Sequence, residues 1–246
     1  MQSGNMMPKG TITEAAALRV LCTNSMQAVL PKLIPQFERA SGCTVCVTYD
    51  SGKGSRARIA NGETADLYIF NAAPMDELAK QNKIVTGSRR DLARCGVGVA
   101  VRAGAPKPDI GSVEAFRRTL LDAKTIAYAE AGTSGIYFSG VVERLGIAAQ
   151  VRAKARTRPA GLIGGLVVDG EAEIAIQQIP ELKQVPGIDI VGPLPQELQV
   201  ISTITISVVS ATKQQKMAQA LLEFLTTAPA ARVFEAHGYE RASGPT

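Results

Sequence analysis

Four short clusters of hydroxyl and amide residues are the parts of this sequence best equipped for chemistry: Thr23-Asn24-Ser25, Asp50-Ser51-Gly52, Asn71-Ala72 and Gly132-Thr133-Ser134-Gly135. Each follows a short apolar run and precedes a helical pattern. Backbone N–H groups at a helix start have no intrahelical partner and carry partial positive charge. With neutral side-chain donors beside them they can hold an anion without a formal cation. Singly, each cluster also reads as a helix cap, the ordinary use of Asn, Ser or Thr at such a position. Four at once point to a shared anion site, because ligands of open α/β sheets sit beyond the carboxyl ends of the strands.

The clusters need elements to position them. Met26, Leu30, Leu33, Ile34 and Phe37 recur at helical spacing and make one apolar face, which stops at Ser41-Gly42. Strands are expected at 18–22, 43–49 and 66–70, alternating with that helix, a second ending near 61–62 and a third over 75–80. A buried strand at 96–101 runs into the Pro/Gly stretch 103–108, which cannot continue a ladder and leads into new structure. The second unit reads as helix 113–123, strand 124–129, helix 135–145, strand 153–157, helix 161–169 and strand 173–177. An apolar segment at 188–191, a long strand at 201–209 and helices at 213–225 and 229–237 complete the chain. This alternation gives an α/β fold with parallel strands and right-handed crossovers, arranged as two lobes with an interlobe ligand cleft. Lobe 1 is expected to hold residues 18–97 plus 207–246 and lobe 2 residues 98–206, with 1–17 a mobile tail.

Composition removes several function classes. Hydrophobic residues make up 46% of the 246, enough for packed cores, while charged residues are 20%, too few for a disordered chain. Trp is absent and aromatics are 4%, so stacking surfaces for sugars or bases are scarce. The net charge of +5 is scattered, Arg89-Arg90 and Arg117-Arg118 being the longest basic runs, which is no nucleic-acid footprint. No apolar stretch is long enough for direct membrane insertion. Residues 1–14 lack an apolar signal core, so the expected location is the cytoplasm unless a leader was trimmed. The Cys43-x-x-Cys46 pair enters a strand rather than opening a helix, and its side chains are expected to be reduced and buried. With His237 the one histidine, no zinc site can be completed, and no metal or cofactor is expected. His237 itself reads as a surface or capping residue. Gly52-Lys53-Gly54-Ser55 fails as a phosphate loop, because Gly54 follows Lys53 and the earlier Gly position is Val47. Gly96-x-Gly98 lacks a third Gly, and Gly132-Thr133-Ser134-Gly135 lacks the spacing of a nucleophile elbow.

In its strand-end clusters the chain resembles the periplasmic molybdate-binding proteins and other type II solute-binding proteins of ABC transporters. The resemblance rests on Leu18-Arg19-Val20-Leu21, Phe37-Glu38-x-x-Ser41-Gly42, Ser51-Gly52-Lys53, Ala65-Asp66-Leu67-Tyr68-Ile69 with Asn71-Ala72, Gly132 to Tyr137, Gly170 to Ala175, and Gln178-Ile179. It implies a type II periplasmic-binding-protein-like fold, a small anionic ligand, an ABC transporter permease as partner, a monomer, and a periplasmic location. Carried over residue by residue, it implies Asn24, Ser25, Ser51, Asn71 or Ala72, Thr133, Ser134 with Gly135, and Gln177 as ligand contacts. The same family includes an aconitate isomerase. Three readings follow. The first is capture of an oxyanion or carboxylate without turnover. The second is an isomerase of an unsaturated carboxylic acid, with Asp50 or Glu130 as candidate base, although Asp50 also reads as a helix N-cap. The third, a ligand-sensing domain of a transcription regulator, lacks room in residues 1–17 for a DNA-binding motif. Lys53 and Arg56 share a helix face, and they matter only for a ligand with several carboxylates.

Overall fold

A computed structural model describes residues 17–159 and 161–242, so the expected N-terminal tail lies outside the described residues but for Ala17. Along the chain, β1 (Leu18–Thr23) passes through a 3-10 turn (Asn24–Ala28) into α1 (Leu30–Ser41), then β2 (Val45–Asp50), α2 (Gly52–Ala60), β3 (Leu67–Asn71) and α3 (Ala72–Lys80). The long β4 (Arg90–Arg102) leads to α4 (Val113–Asp122), β5 (Ile126–Ala129), α5 (Thr133–Arg144), α6 (Ala148–Ala153) and β6 (Ala155–Arg158). Next come α7 (Gly164–Val168), β7 (Ile174–Gln178), α8 (Ile179–Leu182) and β8 (Ile188–Pro193). A 3-10 turn (Gln196–Leu198), β9 (Ile201–Val208), α9 (Gln215–Leu225), α10 (Ala228–Ala236) and β10 (Glu240–Arg241) close the described chain. The expected apolar face of α1 is inside, with Leu30, Leu33, Ile34 and Phe37 buried, and the helix ends where Gly42 turns left-handed at φ 71.

The strand order is β2-β1-β3-β9-β4-β7-β5-β6, with β8 and β10 also pairing β4. β1 pairs in parallel with β2 and β3, and β5 in parallel with β6 and β7. β4 is shared: Arg90–Gly96 pairs with β9, and Val97–Arg102 with β7 and β8. The cores divide at the same place. Cys95 packs with the cluster under α1, α9 and α10, whereas Val97 packs with the cluster under α4, α5 and α6. On the return, Leu198 belongs to the second cluster and Ile204 to the first. The expected limit at 206–207 therefore falls within β9.

A side chain stitches the crossing. The Val97 N–H donates to Gln199 Oε1 at 2.9 Å, and Gln199 Nε2 donates to the Val97 carbonyl at 2.9 Å, so one amide serves as a local strand partner. A Cβ on Gly96 would stand 2.9 Å from Gln199 Nε2, which is why the crossing strand carries glycine there. The first half of β4 is not expected as strand from the sequence, because Arg90, Asp91 and Arg94 interrupt its apolar pattern.

The four cysteines are free thiols; Cys22, Cys43 and Cys95 are buried, Cys43 as expected. Cys46 is exposed, a correction to the sequence reading. β2 is the edge strand, and successive residues on it face opposite ways, so with Val45 buried its neighbour Cys46 turns outward, while Cys43 lies just before the strand.

Candidate functional site

The four polar junctions meet. Thr23, Asn24 and Ser25 beyond β1, Ser51 and Gly52 beyond β2, and Asn71 at the end of β3 line one small cavity from the lobe 1 side. Gly132, Thr133 and Ser134 at the start of α5 line it from lobe 2, with Gln177 and Gln178 at the end of β7. Its volume of ≈ 50 Å³ suits one carboxylate- or oxyanion-sized group.

The donors differ in how far they are already engaged. Ser51 caps α2, its Oγ accepting from the Gly54 N–H at 3.0 Å, while its hydroxyl donates over a long 3.4 Å to Asp50 Oδ1, a bond that a ligand acceptor would replace. This corrects the reading of Asp50 as the cap. Asp50 instead accepts from the Ser51 N–H and pairs with Arg58 at 2.7 Å. That hydrogen bond from Arg58 holds its carboxyl below the usual carboxylate range. Asn71 donates to Thr133 Oγ1 at 3.4 Å across the cleft, a contact between the two lobes. Gln177 pins the loop before α7: it accepts from the Ile163 N–H at 2.9 Å and donates to the Gly161 carbonyl at 2.8 Å. It lines the cavity and shapes it. Gln178 donates to Ser202 Oγ at 3.1 Å, tying β7 to β9.

Two polar atoms in the cavity wall are left without partners. Ser25 is 3% exposed, and its Oγ makes no hydrogen bond; Asn71 Oδ1 is likewise buried and unpaired. A buried polar atom without a partner costs about 1–3 kcal/mol, so such atoms mark places where something else binds.

Ala72 and Gly135, both expected to touch the ligand, do not line the cavity. Ala72 starts α3 behind Asn71. Gly135 serves packing instead. A Cβ there would lie 1.5 Å from the Ala129 carbonyl oxygen, so glycine lets α5 press against β5 and aim Ser134 inward. Neither candidate base lines the cavity. Asp50 is held by Arg58, and Glu130 is exposed, accepting from Thr157 Oγ1 at 2.6 Å.

The sequence reading missed Glu181, the one ionisable residue in the cavity wall among the described residues. The residue keeps a little surface open to the cleft while its carboxyl is enclosed, and this burial pushes it up to about 7 from an ordinary 4.5. Hydrogen bonds from the Gln178 backbone and the Gln177 side chain oppose that rise without cancelling it. Pro180, two residues after the end of β7 and in the first turn of α8, was the available sequence signal for a helix start.

Outside the inner cavity the cleft widens into a hollow of ≈ 490 Å³ sharing Thr23, Gly52, Asn71 and Thr133 with it. Lys53, Arg56 and Lys83 stand on its wall with Glu77, and so does Ile136, an apolar side chain that is 63% exposed. Lys53 and Arg56 thus flank the mouth of the site. Another hollow, of ≈ 740 Å³, is formed by the end of β4, α4 and residues 167–174 of lobe 2; it mixes Arg102 and Arg118 with Asp109, Asp122 and Glu173.

The fold has parallels among known proteins. The chain is 34% identical over 227 residues to an aconitate isomerase from Pseudomonas sp, covering 90% of this chain and 86% of that protein. Among solved structures it superposes on the periplasmic molybdate-binding protein of Azotobacter vinelandii with a TM-score of 0.75 at 18% identity, over 92% of this chain and 100% of that one. The sulfate-binding protein SubI of Mycobacterium tuberculosis H37Rv matches with a TM-score of 0.75 at 16% identity, over 93% and 88%. These two likenesses establish the two-lobed periplasmic-binding-protein fold. With the bacterial extracellular solute-binding protein model matching residues 18–240, the chain belongs to that family.

Proposed function

We propose that the cleft captures a small organic polycarboxylate, one carboxylate in the inner cavity and the others toward the wider mouth. The observation that carries this is the junction of two unlike spaces. The inner one offers buried, unpartnered polar atoms on Ser25 and Asn71, while the outer one has Lys53, Arg56 and Lys83 on its wall. A lone tetrahedral oxyanion has no use for the outer cations, whereas a di- or tricarboxylate reaches both. Ile136 and Ile59 line the mouth and suit the carbon skeleton between the carboxylates. An unsaturated tricarboxylate of the aconitate type is the favoured ligand, because a relative 34% identical over nearly the whole chain is an aconitate isomerase.

Calorimetric titration with cis-aconitate, trans-aconitate, citrate, molybdate and sulfate tests this. Tricarboxylates are expected to bind and the inorganic anions to bind weakly. Ser25→Ala is expected to lose about ten- to a hundredfold in affinity, since a hydrogen bond to a charged group contributes about 1.5–3 kcal/mol. Joint replacement of Lys53 and Arg56 by Ala is expected to weaken tricarboxylate binding. Tight molybdate or sulfate binding with no response to tricarboxylates overturns the reading.

A second reading, delivery of the captured ligand to an ABC transporter permease, is favoured by the family, whose members are extracellular solute-binding proteins. It requires the chain to be exported to the periplasm. Co-purification with a permease and fractionation of cells expressing the full chain test it.

A further inference from the structure

An anion site has no obvious use for a carboxyl group, yet one stands in the wall of this inner cavity. Glu181 is the third residue of α8, directly after the end of β7, where Gln177 and Gln178 also face the cavity. Its placement fits a capping role, a Glu at the third helical position reaching back to the Gln178 N–H. Capping alone leaves two facts unexplained. A cap needs only an acceptor oxygen, which Gln supplies without a titrating group. It also needs no place in the wall of the ligand cavity, where Glu181 stands.

We propose that Glu181 is the acid–base residue of this cleft, moving a proton between two carbons of a bound allylic carboxylate. The proposal rests on the reading that an unsaturated polycarboxylate occupies the site. In the step, the Glu181 carboxylate takes a proton from the ligand's methylene carbon. The C–H electron pair passes into the allylic system, giving a dienolate whose charge spreads onto a ligand carboxylate held by the neutral donors. The Glu181 carboxylic acid then returns the proton to the far allylic carbon, the double bond shifts by one position, and the carboxylate is regenerated. For aconitate the shift restores the same constitution, with the double bond free to take the other geometry. No electrons leave the ligand, and no other reactant is consumed.

Most of the groups packed around Glu181 are neutral. From β4 comes Cys95, a thiol that burial pushes up to about 12; burial also raises Tyr239, just before β10, well above its ordinary value, and its hydroxyl donates to the Ser25 carbonyl at 2.7 Å. The turn after β1 supplies Ser25 and β7 supplies Gln177 and Gln178, all neutral. Of the charged residues on these elements, Lys183 at the far end of α8 is exposed and lies against Gly238, and Arg94 and Glu240 stand opposite each other in the β4–β10 register. On β8, Asp189 accepts from the Gly104 N–H. A base poised near the working pH in such surroundings is well matched to proton transfer at carbon.

The experiment uses the full chain with trans-aconitate and, as a ligand that binds without a double bond to shift, tricarballylate. Proton NMR in D₂O reads both cis–trans interconversion and deuterium entry at the ligand's carbon positions, while calorimetry reads binding. Wild type is expected to interconvert the isomers and to exchange those protons, with turnover rising as pH passes through about 7. Glu181→Gln is expected to keep tricarballylate binding and lose turnover at least a hundredfold, in line with the roughly 10²–10⁴-fold contribution of a general base. Tricarballylate affinity is expected to fall above pH 7 in wild type, as ionised Glu181 repels it, and to stay level in Glu181→Gln. Glu181→Asp, which keeps the acid and shortens its reach, is expected to retain a reduced rate with a pH profile. Binding without interconversion or exchange in wild type, or full turnover in a folded Glu181→Gln, overturns the proposal. If neither tricarboxylate binds, the ligand assignment fails instead, and the two failures are separated by the calorimetry.

Discussion

Replacing Glu181 by Gln should make the unliganded protein more stable at alkaline pH. In the folded chain the carboxyl titrates at about 7, against 4.5 for an ordinary glutamate, and burial is the larger cause. Between those two values the native state holds a proton that the unfolded chain has released. The contribution to stability is therefore fully present below pH 4.5, declines as pH rises, and is lost once pH passes about 7. At about 1.4 kcal/mol per pH unit, the interval gives a contribution on the order of 3 kcal/mol. Gln keeps an acceptor for the Gln178 N–H but has no proton to lose, so it avoids this decline. Urea melts of both proteins at pH 4.5, 6 and 8.5 read the effect. The variant should match wild type at the lowest pH and exceed it by about 1–3 kcal/mol at the highest, or roughly 2–12 °C in Tm for a chain of this size. Parallel pH dependence in the two proteins would refute the argument, since it would show that Glu181 is ionised and solvated in the fold.

Gly135→Ala should destabilise the protein by about 1–3 kcal/mol and weaken ligand binding, because the new Cβ would meet the Ala129 carbonyl and α5 must move away from β5. Gly140→Ala on the same helix has nothing within 4 Å of its Cβ and should be neutral or stabilising by up to about 1 kcal/mol; equal thermal shifts for both variants would contradict the packing account. Iodoacetamide on the folded protein should label Cys46 alone, with Cys22, Cys43 and Cys95 reacting only after denaturation. Mass spectrometry showing Cys43 labelled as fast as Cys46 would contradict the burial of Cys43.

What could be read from the sequence was local in origin. A polar cluster directly after an apolar run encodes a strand end and a helix start within a few residues. For that reason Asn24, Ser25, Ser51, Asn71, Thr133 and Ser134 are legible from residue order alone, and all six line the inner cavity. Where a role depends on long-range packing, the sequence is silent. Gly135 sits in the same motif as Ser134, but contact with the Ala129 carbonyl, six residues back and on another element, decides that it packs rather than binds. Asp50 and Ser51 are neighbours at a helix start, and the approach of Arg58 from within α2 leaves Ser51 as the cap. Gln199 lies in a stretch without periodicity, and its bracket on Val97 joins residues 102 positions apart. The first half of β4 is hidden by charges that a paired strand carries on its outer face.

Glu181 shows the same limit at the point that matters most. Asp50 and Glu130 are carboxylates beside obvious turns, and both are held or solvated in ways that leave them no part in the cavity. Glu181 lies in a four-residue helix with no periodicity to flag it, and burial gives it chemistry. The division of charge in the cleft then has a physical logic. Lys53, Arg56 and Lys83 stand at the wide mouth, where water screens them and where they can attract and orient a polycarboxylate. A lysine in the inner cavity would pair with the resting carboxylate and with Glu181 alike, lowering the base's affinity for a proton and removing the reason for it to accept one. Neutral donors avoid both effects. They hold the ligand's carboxylate by hydrogen bonds that strengthen as dienolate charge develops, while leaving Glu181 close to the pH at which it can both take and return a proton. Placing a cation there, as in Ser25→Lys, is accordingly expected to tighten tricarballylate binding while slowing exchange of trans-aconitate protons; faster exchange would show that the cavity's neutrality serves no such purpose.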